Sequence, residues 1–290
     1  MLKKIGKYTI LAKPVKCKYW KPGTNIVKYL CKKLKNKVKD GDIIVFSEKA
    51  LATALGAIID ESEIAPSMFS KVIVFLLMRV IWGYMLGILT KLKKETLEWI
   101  RKYPVAEGAA HKQLALILGG LLQVLKPSSE AGIDTSNLPY SYASLPLNSC
   151  SIVEKLRKTL SKCLEANIAV MIVDSDRTYY NKKYSIALSS RKTCVKGLIN
   201  LGVLSYISGR MFRAHFKPKA TPVSYAGPCM SLELMLEIAE IADKVRGVGA
   251  GRTVFEMARR FNTSLNGVTW EMLSSINHYP IVIVRILGKN

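Results

Sequence analysis

Carboxylates are scarce in this chain, 21 against 44 lysines and arginines, so those lodged in loops and at strand ends stand out. Two groups qualify. Residues 129–137, SEAGIDTSN, carry Glu130 and Asp134 in a long loop, and residues 173–180, VDSDRTYY, place Asp174, Ser175 and Asp176 at the end of an apolar run. Magnesium and manganese prefer hard oxygen ligands and commonly take one or two carboxylates plus substrate phosphates. Two such loops converging would make that site. The competing reading is structural: Asp and Asn in loops fold back on their own backbone, and an Asp at a strand end caps the next helix. Spacing alone leaves both open.

Other groups of this kind carry less. Residues 247–253, GVGAGRT, lack the Gly-Lys-Ser/Thr of a Walker loop and read as a helix stop and restart rather than a phosphate cradle. His111, His215 and His278 show no ligand spacing and read as ordinary core or surface histidines. The six cysteines include no CxxC pair, and a chain of 290 residues can bury a core without staples. Reduced thiols in a cytosolic protein are expected.

These groups need elements to position them. Residues 8–15 read as extended, 21–24 as a turn, 25–38 as a basic amphipathic helix and 42–47 as a buried strand running into a helix. Residues 67–125 are almost wholly helical, an insert, and 126–148 form a long loop of the kind that usually carries function. Ser151 and Glu154 have capping-box spacing, and the helix they open leads to a buried strand ending at Asp174. Residues 221–226 and the closing PIVIVRI are strands, with helices at 231–246 and after Thr253. The mixture predicts an α+β fold. A composition shift near residue 213 divides it into a nucleotide- and metal-binding region, 1–212, and a C-terminal α/β subdomain, 213–290, unless the two form one intertwined unit.

A formal charge of +23 favours anionic partners but does not choose among phosphates, nucleic acid and lipid. No zinc-finger, RNA-recognition or aromatic-interleaved basic repeat accompanies it, so no nucleic acid is expected. Residues 72–89 approach the length of a membrane span, but Arg79 near the middle makes a lone span costly. A helix buried in the core or at a subunit contact is expected instead, with no membrane. The N-terminus lacks the pattern of a signal peptide, so the expected location is the cytoplasm.

The stretches DGDIIVFSEKA, AGIDTSN, IAVMIVDSD, RGVGAGRTVFEMARRF and VTWEMLSSI together resemble the coenzyme F-420 glutamate ligases, archaeal branch, along the whole chain. The resemblance implies that GTP, with Mg2+ or Mn2+, activates a carboxylate of a coenzyme F-420 precursor as an acyl phosphate, which L-glutamate attacks to form an amide. It implies a homodimer. It implies metal ligation by Asp134, Asp174 and Ser175, and nucleotide contacts by Ser47, Lys49 and Asn137. Lys49 is then the cation for the phosphates, and Glu130 or Asp176 orients or deprotonates the amine. The chain departs from the family at Thr53, where a second lysine is usual, at Glu130, where Asn is common, and in DRTYY. No late acidic or glutamine metal ligand can be placed near SYAGPCMSLE. The rivals are a ligase for another anionic cofactor on the same scaffold and a non-catalytic basic homologue that binds RNA or a membrane surface.

Overall fold

Ile43, Ile44, Val45 and Phe46 are all buried, which requires a strand covered on both faces. The computed structural model describes every residue except Lys7, Ser129, Ala131 and Asn290, and Lys289 through its backbone alone. Two members of the acidic loop motif, Ser129 and Ala131, therefore lie outside the described residues.

The chain begins with β1 (Leu2–Ile5), β2 (Tyr8–Cys17), α1 (Ile26–Leu34), β3 (Ile43–Ser47), α2 (Glu48–Ala54) and β4 (Ile58–Asp60). The helical insert follows as α3 (Met68–Leu89), α4 (Lys94–Arg101), α5 (Val105–Gly119) and α6 (Leu121–Val124). After β5 (Tyr142–Ser144) come α7 (Ser149–Leu164), β6 (Ala169–Asn181), β7 (Ile186–Ser189), β8 (Leu198–Asn200), α8 (Val203–Met211) and β9 (Lys217–Ala226). The chain ends with α9 (Leu232–Arg246), α10 (Val254–Phe261), α11 (Trp270–Ser274) and β10 (His278–Lys289).

The main sheet runs β1-β2-β10-β3-β6-β7-β8, with β9 on the other side of β6. Side chains alternate across it. Ile44, Phe46, Val170 and Ile172 pack under α1 and α7, whereas Ile43, Val45, Met171 and Val173 pack against Leu234, Ile238 and Ile241 of α9. The fold is α+β, as the periodicity implied. Both β9 and β10, from beyond residue 213, are strands of this same sheet, and β10 lies between β2 and β3; the two regions are interwoven.

Three local expectations are corrected. The strand entering Asp174 does not end there. It continues to Asn181, because Thr178, Tyr179 and Tyr180 pair with β7 on one edge and β9 on the other, and β-branched and aromatic residues suit that half-buried surface. The helix expected to open at Ser151 starts at Ser149, with Asn148 as its N-cap. The cysteines are not all reduced: Cys31 is bonded to Cys163 and Cys150 to Cys194. Packing of α1 on α7 brings the first pair to a Cα–Cα distance of 5.8 Å, within disulfide range. Cys17 and Cys229 are free thiols.

Helix α3 is long and apolar enough to cross a membrane, and a third of its most apolar window is buried. Its central Ile73–Leu86 stretch has π-type winding, which puts the buried Val74, Met78, Gly83 and Gly87 in steps of four and five residues along one face. Trp82 Nε1 donates to the Leu125 carbonyl at 2.9 Å and Arg79 Nε to that of Tyr103 at 2.8 Å, which binds the helix to the rest of the insert. The opposite face, with Phe75, Leu76, Val80, Tyr84 and Met85, is exposed. The expectation of a buried helix therefore holds for one face only.

Candidate active site

Strands β3 and β6 are parallel, and their last pair is Ser47 with Val173. Beyond it β3 turns into α2 while β6 runs on to meet β7 only at Thr178. Asp174, Ser175 and Asp176 lie in that gap, where the register against β9 also slips between Asp174 and Arg177. A crevice at the carboxyl ends of parallel strands is the usual place for a ligand in an open α/β sheet. Here it is a cleft of about 780 Å³. Ser47, Lys49, Glu130, Asp134, Asn137, Asp174, Ser175 and Asp176 all line it, so residues spread over 130 positions of sequence are gathered at one place.

Lys49 is the meeting point. Its ammonium donates to Asp134 Oδ2 and to Ser136 Oγ, both at 2.6 Å, while Asp134 Oδ1 accepts from the Ser136 amide at 2.8 Å. Ser47 caps α2 without using its hydroxyl on the cap. Thr53 is buried, its hydroxyl donating to the Lys49 carbonyl at 2.8 Å, so the charge absent at position 53 is not restored there.

Arg191 is the residue that sequence reasoning missed. Its guanidinium binds both oxygens of Glu48 and one oxygen of Asp174, a bidentate geometry that fixes direction as well as charge. Gly132 of the acidic loop lies against it, and a Cβ there would collide with the guanidinium. Gly132 also has a positive φ of 83°, so the position needs glycine twice over. Burial alone would raise the Asp174 pKa, but Arg191 and then Lys49 hold it below the usual carboxylate range. Burial dominates at Glu48, whose pKa rises despite Arg191, with the neighbouring Asp174 charge adding to the rise.

Glu130, although it lines the cleft, is bound from the side of the helical insert. Its carboxylate accepts from Lys112 Nζ and lies 3.3 Å from His111 Nε2, and His111 Nδ1 lies 2.6 Å from Glu61. Burial disfavours charge on the imidazole, but the two carboxylates overcome it and raise the pKa to about 10. His111 is thus a charged anchor between the insert and the acidic loop, not an ordinary core histidine. The same network holds Glu130 ionised, with Lys112 and His111 pulling its pKa down against burial.

The glycine run is a wall of the cleft. Asn137, in left-handed backbone at φ 58°, accepts from the Ala250 amide at 2.5 Å and donates to the carbonyls of Gly251 at 2.8 Å and Val248 at 3.2 Å. Gly249 sits so close that a Cβ would strike the Asn137 side chain. Asn137 therefore holds the loop. The expected stop and restart is present too, since Thr253 Oγ1 caps α10 by accepting from the Glu256 amide, but the segment also shapes the site.

Asp243, on the last turn of α9, supplies an acidic group from the C-terminal part of the chain. It accepts from Ser175 Oγ at 2.8 Å and from Arg246 Nη2 at 2.7 Å, and Arg246 also reaches Ser175 at 3.0 Å. The Asp176 carboxylate lies 3.5 Å from the Lys126 ammonium. His278 borders the cleft beneath Tyr19, where burial and then the Arg246 charge push its pKa down to about 4.

Comparison with known proteins agrees with the resemblance. A protein of Methanocaldococcus jannaschii described only as uncharacterized is 32% identical over 287 residues, covering 95% of this chain and 96% of that one. The family model for F-420-0:gamma-glutamyl ligase matches residues 14–192, which include Lys49, Asp134, Asp174 and Arg191. The chain belongs to the F-420-0:gamma-glutamyl ligase family.

Proposed function

We propose that the protein uses GTP and a divalent cation to join L-glutamate to a carboxylate of the coenzyme F-420 precursor. The observation that carries this reading is one cleft in which Asp134 and Asp174 both lie in the field of Lys49, facing a glycine loop fixed by Asn137. Positive charge is already drawn to these carboxylates by Lys49 and Arg191. Hard oxygens of this kind fit Mg2+ or Mn2+. No group of three or more Asp, Glu, His or Cys side chains is arranged to hold a metal ion by itself among the described residues, so substrate phosphates would complete the coordination, as is common for magnesium. When bound, the cation would neutralise phosphate charge and polarise the transferring phosphoryl group.

The chain's own residues do the rest. Ser47 and the segment from Gly247 to Thr253 border the nucleotide, with Asn137 holding that segment in place. Lys49, which donates to Asp134 across the cleft, would pair the phosphates and stabilise the charge that develops on transfer. A carboxylate oxygen of the acceptor forms the bond to the terminal phosphorus as the bond to GDP breaks. The glutamate nitrogen then attacks the acyl carbon, phosphate leaves, and the amine proton passes to a base. Asp176 is that base in our reading, because Lys112 and His111 keep Glu130 as an anchored anion.

The test is an incubation with GTP, manganese or magnesium, glutamate and the glutamate-free coenzyme. GDP, phosphate and a product heavier by one or more glutamyl units are expected. Triphosphate hydrolysis indifferent to the deazaflavin would point to another acceptor, and no nucleotide binding would sink the ligase reading.

A further inference from the structure

A second cavity, of about 160 Å³, lies beside the cleft and shares Asp176 and Arg177 with it. It has room for about five water molecules, too little for a nucleotide and suited to a single amino acid. Its wall is built from groups that recognise carboxylates. Lys126 is fully buried, its ammonium 3.3 Å from the Ser190 carbonyl and 3.5 Å from Asp176 Oδ2. Arg210, on α8, donates from Nε to the Thr90 carbonyl at 3.0 Å and from Nη2 to that of Lys91 at 3.2 Å. No carboxylate pairs with it among the described residues.

Beside these cations stands Tyr179, 2% exposed, whose buried hydroxyl meets no partner at full hydrogen-bond geometry among the described residues and has the Arg210 side chain as its neighbour. Buried polar groups are nearly always satisfied, and an exception asks for an occupant. Gly209 makes the approach possible, since a Cβ there would collide with the Tyr179 ring. The cavity thus has cations and a phenolic hydroxyl inside and, where it adjoins the main cleft, the carboxylate of Asp176 beside Arg177, whose own charge is taken up by Glu240 and Asp243. That polarity matches a zwitterion with its amine toward the cleft and its carboxylates inward.

We propose that this cavity is the donor subsite, binding an α-amino dicarboxylic acid with its ammonium at Asp176 and its carboxylates at Lys126, Arg210 and Tyr179 Oη. The identity of the donor as L-glutamate rests on the ligase reading; the ligand class rests on the cavity. Bound in this way, the amine lies at the mouth of the cleft, where the activated acceptor carboxylate must be.

The test is calorimetric titration of the full chain, without nucleotide, using L-glutamate, L-glutamine and inorganic phosphate, repeated on Tyr179→Phe and Arg210→Gln. L-glutamate should bind at least tenfold more tightly than L-glutamine, and Arg210→Gln should weaken it at least tenfold. Tyr179→Phe should weaken it several-fold while leaving the melting temperature of the free protein unchanged or higher, a combination that a purely structural hydroxyl does not produce. In turnover, both variants should raise KM for glutamate and leave KM for GTP unchanged. Equal glutamate binding by wild type and both variants overturns the proposal, as does phosphate competing as well as glutamate. Dicarboxylate binding that falls in the variants, in a protein that does not glutamylate the deazaflavin, supports the subsite and removes only the acceptor from the ligase reading.

Discussion

Replacing Asn137 by alanine removes three hydrogen bonds to the glycine loop, from Ala250 and to Gly251 and Val248. At roughly 1 kcal/mol net for each bond, less where solvent competes, the loop loses about 2 to 3 kcal/mol of local ordering. At 1.4 kcal/mol per factor of ten, the population of the ordered loop falls by roughly 30- to 150-fold relative to its open forms. Asn137 is not part of either large core cluster of the sheet, so global stability should change far less than loop order. Two assays separate the effects. Hydrogen exchange should accelerate at residues 248–252 while the amides of β3 and β6 stay protected, and GTP affinity should fall in step with the exchange. Asn137→Asp is the sharper variant, because it keeps the acceptor for Ala250 but sets a carboxylate against two carbonyls. Unchanged exchange in the loop, or unchanged nucleotide affinity despite faster exchange, would refute the role given to Asn137.

Asp134→Asn and Asp174→Asn should each lower kcat/KM at least about a hundredfold, with circular dichroism showing a folded chain. His111 should impose an alkaline limit on stability: its folded pKa of about 10 exceeds the ordinary value, so its contribution is complete below about pH 6.5 and is lost as pH rises through 10. His111→Gln should flatten the melting temperature over that range. His278 works in the opposite sense, with its pKa of about 4 giving stability present above about pH 6.5 and lost as pH falls toward 4; a titration of melting temperature shows both limbs. Reduction should lower stability by about 2 to 5 kcal/mol for each of the two disulfides in denaturant titrations, and thiol counting on the native protein should find two free cysteines rather than six. The homodimer implied by the resemblance is tested on the outward face of α3: Phe75→Lys with Met85→Lys should shift sedimentation toward a monomer without loss of helicity, and an unchanged dimer would place the contact elsewhere.

The sheet and half of the site were legible because their signals are local. Runs such as IIVF and AVMIV declare buried strands, and two acidic loops in a lysine-rich chain declare themselves by contrast. What could not be read is pairing over long separations. Arg191 meets Glu48 across 143 positions and Asn137 meets Ala250 across 113, and neither sits in a pattern that announces its partner. The same holds for Cys31 and Cys163, 132 residues apart. The stretch from Arg177 to Tyr180 was legible in composition, since Thr and Tyr favour strands, but the aspartates before it masked the continuation. Asp243 was hidden for a different reason: it lies on a helix whose charged residues look like an ordinary solvated face.

The change of neighbour along β6 has a consequence for how the chain can evolve. The strand is locked to β3 before Asp174 and to β7 after Arg177, so the intervening residues form a bridge between two fixed anchorages. Deleting or adding a single residue there would send Thr178, Tyr179 and Tyr180 to the opposite side of the sheet, exchanging interior for exterior along the whole second half. Substitution at Ser175 and Asp176 therefore leaves the pairing on either side intact, whereas a change of one residue in the length of that bridge does not.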